Sequence, residues 1–163
     1  TKAPETPIDQ TRELAALVQS GSDVKVNTVV SQLNRNELVA VGHAIDQRSV
    51  RRWSLYEFWA IGPTAIRNEK DYTLGHATYI TIVEDIRRRF QNIVVEDGSI
   101  GSRTGSYLFV TQTGRVYTVD PHRRDRYLEL GNMLRDATIL DRWDQHLDAQ
   151  RNRHRYEQRQ TSP

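Results

Sequence analysis

The chain has 163 residues, 37% of them hydrophobic, enough for one moderate core or two small ones and therefore for one or two domains. It contains no cysteine, which excludes a disulfide framework, a thiolate zinc site and a cysteine nucleophile. Its 23 basic and 21 acidic side chains nearly cancel to a formal charge of +2, so attraction to a polyanion would have to come from local patches: Arg48, Arg51 and Arg52; Arg87–Arg89; His122–Arg126; and Arg151–Arg159.

No apolar run approaches the roughly 20 residues needed to cross a bilayer, and Thr1–Gln10 lacks the basic and apolar regions of a signal peptide. The expectation is a cytoplasmic chain with no membrane partner. Residues 1–22 read as a proline-bearing arm, Thr1–Thr6, and a helix over Ile8–Gln19 with Leu14, Leu17 and Val18 on one face. Ser20–Asp23 is turn material. In Val24–Leu33, Val29, Val30 and Leu33 fit one helix face, while the alternating Val24 and Val26 fit a short strand equally well. Asn34 followed by Glu37 has the form of a capping box that announces a further helix.

From Val39 the sequence runs V-A-V-G-H-A-I-D-Q-R-S-V-R-R-W. Its spacing suits two helices crossing at a tight angle: Ala40 is small enough for close packing, Ala44 occupies the turn, and Ile45, Val50 and Trp53 point into a small core. Asp46 would cap the second helix, leaving Gln47, Arg48, Ser49, Arg51 and Arg52 on its outer face. Those side chains suit a major groove. Arginine donates two hydrogen bonds to guanine, glutamine pairs similarly with adenine, and a further arginine holds a phosphate.

Leu33–Trp53 resembles the helix-turn-helix of phage repressors, excisionases and related regulators, with Ala44 standing where glycine is usual. The resemblance implies a DNA-binding domain over residues 23–66 with Asp46–Trp53 as recognition helix and double-stranded DNA as partner. The order of domains is similar to the immunity repressors of temperate phages of actinobacteria. It implies a sequence-specific transcriptional repressor, in the host cytoplasm if phage-encoded. The alternative is an interaction or packaging module using the same helical face without a regulatory role.

After the aromatic stretch Leu55–Ile61, with Trp53 and Trp59 read as core, Gly62-Pro63 ends the helix and a boundary is expected before Asp71. Residues 71–163 then read as a small α+β domain with a polar tail. A helix spans Thr73–Phe90, with Ala77, Ile80, Val83 and Ile86 or Phe90 on one face and Arg87–Arg89 in its last turn. A glycine-rich loop follows, then a β-hairpin over Tyr107–Val119 turning at Thr113-Gly114, with Arg115 at its tip as a further DNA contact. A C-terminal helix from about Asp125 carries Leu128, Leu130, Leu134 and Ile139, a face that either covers the hairpin or mediates self-association. The polar stretch Ala149–Pro163 closes the chain. The expected fold is mainly α: an N-terminal helix-turn-helix domain followed by the small α+β domain.

No catalytic constellation stands out. The five histidines show no pair at metal-ligand spacing except His122 or His146 beside carboxylates, a commonplace arrangement; no phosphate-cradling glycine motif is present, and Ser106, Tyr107 and His122 form a nuclease-like trio of the kind chance supplies. Neither an enzyme nor a cofactor or metal is expected.

Overall fold

A computed structural model describes residues 10–120 and 127–146. The arm Thr1–Thr6, His122, the arginines Arg123, Arg124 and Arg126 and the polar tail from Ala149 lie outside the described residues. So does the proposed start of a helix at Asp125.

The expectation of a mainly α chain opening with a helix-turn-helix is overturned. The molecule is mixed α/β, with one parallel and one antiparallel sheet of three strands each. Helix α1 (Gln10–Gln19) leads to strand β1 (Lys25–Val30), helix α2 (Leu38–Asp46) and strand β2 (Arg52–Glu57). Helices α3 (Pro63–Arg67), α4 (Glu69–Tyr72) and α5 (His76–Arg89) then carry the chain to strand β3 (Val94–Gly98). The three strands lie in the order β1-β2-β3, all parallel. Parallel neighbours need long crossovers, which the segments 31–51 and 58–93 supply.

What reads as a recognition helix is the end of α2, a turn, and the start of β2. Helix α2 stops at Asp46 because the next residues close a Schellman motif: Val50 N–H reaches Ile45 O at 3.3 Å and Ser49 N–H reaches Asp46 O at 2.9 Å. Ser49 takes the left-handed position that this closure demands, at φ 58°. Ile45, Val50 and Trp53 are all buried, as the spacing predicts. They are buried, however, as the last turn of one helix, a loop residue and a strand residue. Trp53 faces inward from β2 and donates its indole N–H to Thr28 Oγ1 at 2.9 Å.

The alternating start of Val24–Leu33 resolves as strand: Val26, Thr28 and Val30 lie level with Trp53, Leu55 and Glu57. Asn34 caps no helix. Its carboxamide oxygen accepts from Ser31 N–H at 2.9 Å and its amide donates to Val29 O at 2.8 Å, bracing the exit of β1. The expected helix over Thr73–Phe90 is present as α5, but its buried face is Tyr79, Val83 and Ile86 rather than a row beginning at Ala77. Phe90 ends it and wedges edge-on between Trp53 and His43.

One core results, in which Leu14 and Val18 of α1, Leu38 and Ile45 of α2, and Tyr79, Val83 and Ile86 of α5 pack on Val30, Trp53, Leu55 and Val95 of the sheet. The opposite face of the sheet is polar. There Glu96 is paired with Lys25, with Arg52 at 3.1 Å and with Ser54 Oγ at 2.8 Å, and Val29 stands half-exposed beside them.

After β3 a short helix α6 (Ile100–Arg103) replaces the expected flexible loop. The hairpin is where the sequence puts it, as β4 (Phe109–Val110) paired with β5 (Arg115–Val119) around Gly114 at φ 79°. Leu128 and Leu130, however, belong to strand β6 (Tyr127–Asn132), antiparallel to β5, and not to a helix. Only the short α7 (Ile139–Asp144) follows among the described residues. A second, smaller core joins Val116, Leu130 and Ile139, with Leu108, Leu128 and Trp143 against it. No helix of the described residues is long and apolar enough to cross a membrane.

Candidate functional site

In open sheets of parallel strands, side chains and loop amides converge beyond the carboxyl ends of the strands, and ligands bind there. At this edge the chain gathers Glu57 from the end of β2, Asp97 from β3, His76 and Tyr79 from the first turns of α5, and Ser99 and Arg103 around α6.

The residue alternation of β2 places Glu57 in phase with Trp53 and Leu55, on the helix-covered face, and its side chain is only 5% exposed. Such a carboxylate needs partners. One oxygen accepts the Ile100 N–H at 2.8 Å, and both lie 3.2 Å from His76 Nδ1. A nitrogen facing two carboxylate oxygens must carry a proton, which fixes the tautomer and leaves Nε2 as the outward atom of the ring. The His76 side chain is 63% exposed.

Beneath His76, and stacked against it at 6.3 Å, lies Tyr79, which is fully buried. Its hydroxyl is 2.7 Å from Leu55 O and 2.9 Å from Asp97 Oδ1, with one proton to share between them, and it accepts the Gly98 N–H at 3.1 Å. Burial, reinforced by the Asp97 charge and hydrogen bond, pushes the phenol far above its ordinary range, so it stays neutral. Asp97 in turn accepts Ser99 N–H at 2.8 Å and Ser99 Oγ–H at 3.1 Å, while Ser99 Oγ caps α6 at Ser102 N–H.

Arg103 closes the edge. It donates to the carbonyls of Glu57 and Ser99, and its guanidinium lies 5.3 Å from the ring of Tyr56 and 5.2 Å from that of Trp59. Burial lowers its pKa, opposed by the nearby Tyr107, Tyr79 and Glu57, yet a guanidinium so placed remains charged.

No protein-family model matches this chain, and no curated protein matches it in sequence.

The residues expected to read DNA are not brought together on one helix. Gln47 is the exposed C-cap of α2, Arg48 donates to Ala44 O at 2.8 Å, and Ser49 occupies the left-handed turn. Arg51 reaches Asn92 O at 3.4 Å, while Arg52 lies in β2 on the polar sheet face, bound to Glu96 and Asp23. All five sit at the amino end of β2, away from the edge that holds Glu57. Arg115 is on the second sheet, in a two-point ion pair with Glu129. Of the nuclease-like trio, Ser106 and Tyr107 follow α6 and His122 lies outside the described residues. No three metal-binding side chains cluster among the described residues.

Sequence reasoning missed Glu57, His76, Asp97 and Arg103, which are scattered over nearly fifty residues without a local motif. One signal was present: Glu57 falls at an inward position of the alternation Trp53, Leu55, Glu57, where an unpaired charge is costly.

Proposed function

We propose that the carboxyl edge of the parallel sheet binds a small polar molecule and exchanges a proton with it through His76, held in orientation by Glu57. One observation carries this reading: a nearly buried carboxylate lies 3.2 Å from one imidazole nitrogen while the His76 side chain is largely exposed. A buried carboxylate facing an exposed imidazole is a poor device for stability alone, since an apolar side chain at the Glu57 position would avoid the cost of desolvating a charge. The same pair is an effective device for presenting a nitrogen of fixed tautomer, the arrangement that general acid–base groups share. The position supports the reading too, because His76 opens a helix of 14 residues whose free amides favour an anionic group nearby.

The test is a titration of the labelled protein with small phosphates, carboxylates and amines, followed by NMR at the His76 ring. A ligand of this site shifts the His76 Nε2 resonances, loses its effect in His76→Ala and is weakened in Glu57→Gln. Ligands that bind without touching His76, or that bind Glu57→Gln equally well, would overturn the proposal.

A further inference from the structure

Two arginine clusters that lie far apart in sequence meet at the amino end of the parallel sheet. The register sets Arg52 beside Val94, and Val94 N–H donates to Arg51 O at 2.8 Å, so Arg51, in the lead-in to β2, lies against the chain that leaves α5. The last turn of α5 is Arg87, Arg88 and Arg89. Arg51 donates to Asn92 O at 3.4 Å and Arg87 Nε to Val95 O at 3.0 Å, and carbonyl partners orient a guanidinium without cancelling its charge. Arg88 and Arg89 share one carboxylate, Asp85, at 3.5 and 2.6 Å, and their side chains remain 75% and 54% exposed. Four guanidinium groups thus meet one paired acid. Of the other charges on these elements, Asp46 is offset by Arg48 in the turn after α2, and Glu84 stands a turn earlier on α5, so the surplus is positive.

We propose that this end of the sheet docks on the phosphate backbone of duplex nucleic acid, without reading its bases. The dipole of α5 favours cations in its last turn, but crowding four like charges onto one surface of a nearly neutral chain carries a repulsion that a polyanion relieves. All four are arginines, whose planar fork matches a phosphate with two parallel hydrogen bonds. They come from two elements, the end of α5 and the lead-in to β2, a spread that suits successive phosphates better than one small anion. The aromatic side chains at this end, Trp53 and Phe90, are buried, so the patch offers no ring on which an unpaired base could stack, which favours a duplex over a single strand. Both anchors are rigid, because the helix end and the strand start are joined by backbone hydrogen bonds. None of these residues belongs to the carboxyl-edge site at the other end of the strands, and the two proposals stand or fall separately.

The experiment is fluorescence anisotropy of the full chain with a labelled random-sequence duplex of about twenty base pairs, against a single strand of equal length and phosphatidylserine vesicles as competitors. The expected result is saturable binding that weakens steeply as salt rises. In the double variant Arg88→Ala, Arg89→Ala it falls about tenfold and the salt slope drops by about 2, and in Arg51→Ala the slope drops by about 1. Arg115→Ala, on the second sheet, leaves binding unchanged. Circular dichroism confirms that the variants fold. Binding indifferent to the α5 arginines and to Arg51, stronger competition by the single strand or by the vesicles than by unlabelled duplex, or no binding at all would each overturn the proposal.

Discussion

Glu96 provides the sharpest quantitative test of how the polar face of the parallel sheet is held. Burial opposes its ionisation, but hydrogen bonds from Lys25, Ser54 and Arg52, together with the Lys25 charge, hold its pKa at about 2 against an ordinary 4.5. A group depressed in the folded state stabilises the fold above its unfolded pKa, and that stability is lost as pH falls from about 4.5 towards 2. The shift corresponds to about 3 kcal/mol as a ceiling. The side chains of Glu96, Lys25 and Arg52 are 20%, 21% and 29% exposed, so water screens part of the interaction. A contribution of ~2 kcal/mol is the expected magnitude. Urea unfolding of the native protein and of Glu96→Gln across this pH range measures it. The gap between them should be ~2 kcal/mol near neutrality and close to zero near pH 2. A gap that stays constant with pH would show that glutamine acts through packing or altered loops, and would refute the charge argument.

Other consequences follow from the packing. Gly42 of α2 lies directly against the ring of Phe90, itself wedged between His43 and Trp53, so Gly42→Ala should cost ~2 kcal/mol in urea unfolding because that ring has little room to retreat. Ser49→Gly should raise the thermal midpoint, stabilising by ~0.5 kcal/mol, since glycine accepts the left-handed φ of 58° without the clash of a Cβ but loses more entropy on folding. Tyr79→Phe should cost ~2 kcal/mol and speed hydrogen exchange at Gly98, because the phenolic oxygen that receives this buried amide is removed.

Which parts of this fold could be read from sequence depends on how local their causes are. The hairpin at Thr113-Gly114 and helix α5 were legible because a turn glycine and a 3.6-residue apolar period are properties of neighbouring residues. The parallel sheet was not. In β2 the inward residues Trp53, Leu55 and Glu57 include an acid, and in β1 the inward Val26, Thr28 and Val30 include a hydroxyl, so neither strand shows a clean apolar alternation. Across Ala44–Trp53, a helix end closed by a Schellman turn and followed by an inward strand residue buries the same positions as two crossing helices. The burial pattern was therefore right, and the geometry inferred from it was wrong. The same ambiguity holds for Leu130 and Leu134, four apart as on a helix, where Leu128 and Leu130 in fact alternate along β6.

The candidate site escaped for a deeper reason: its members become neighbours only through the parallel pairing of strands far apart in sequence. Once paired, they are locked. Asp97 fixes Ser99, Ser99 caps α6, and α6 returns Arg103 to the Glu57 carbonyl while its first amide, at Ile100, binds the Glu57 carboxylate. Tyr79 ties the same strand ends from below through Leu55 O and Gly98 N–H. Glu57 is thus held by rigid elements on both sides, and its remaining freedom is spent on orienting His76. A network in which nearly every polar atom is already satisfied leaves few groups able to answer a ligand. Among the residues of this edge, His76 combines an exposed side chain with an imidazole held by a buried carboxylate, which is why the proton-exchange proposal centres on it and not on the buried carboxylates behind it.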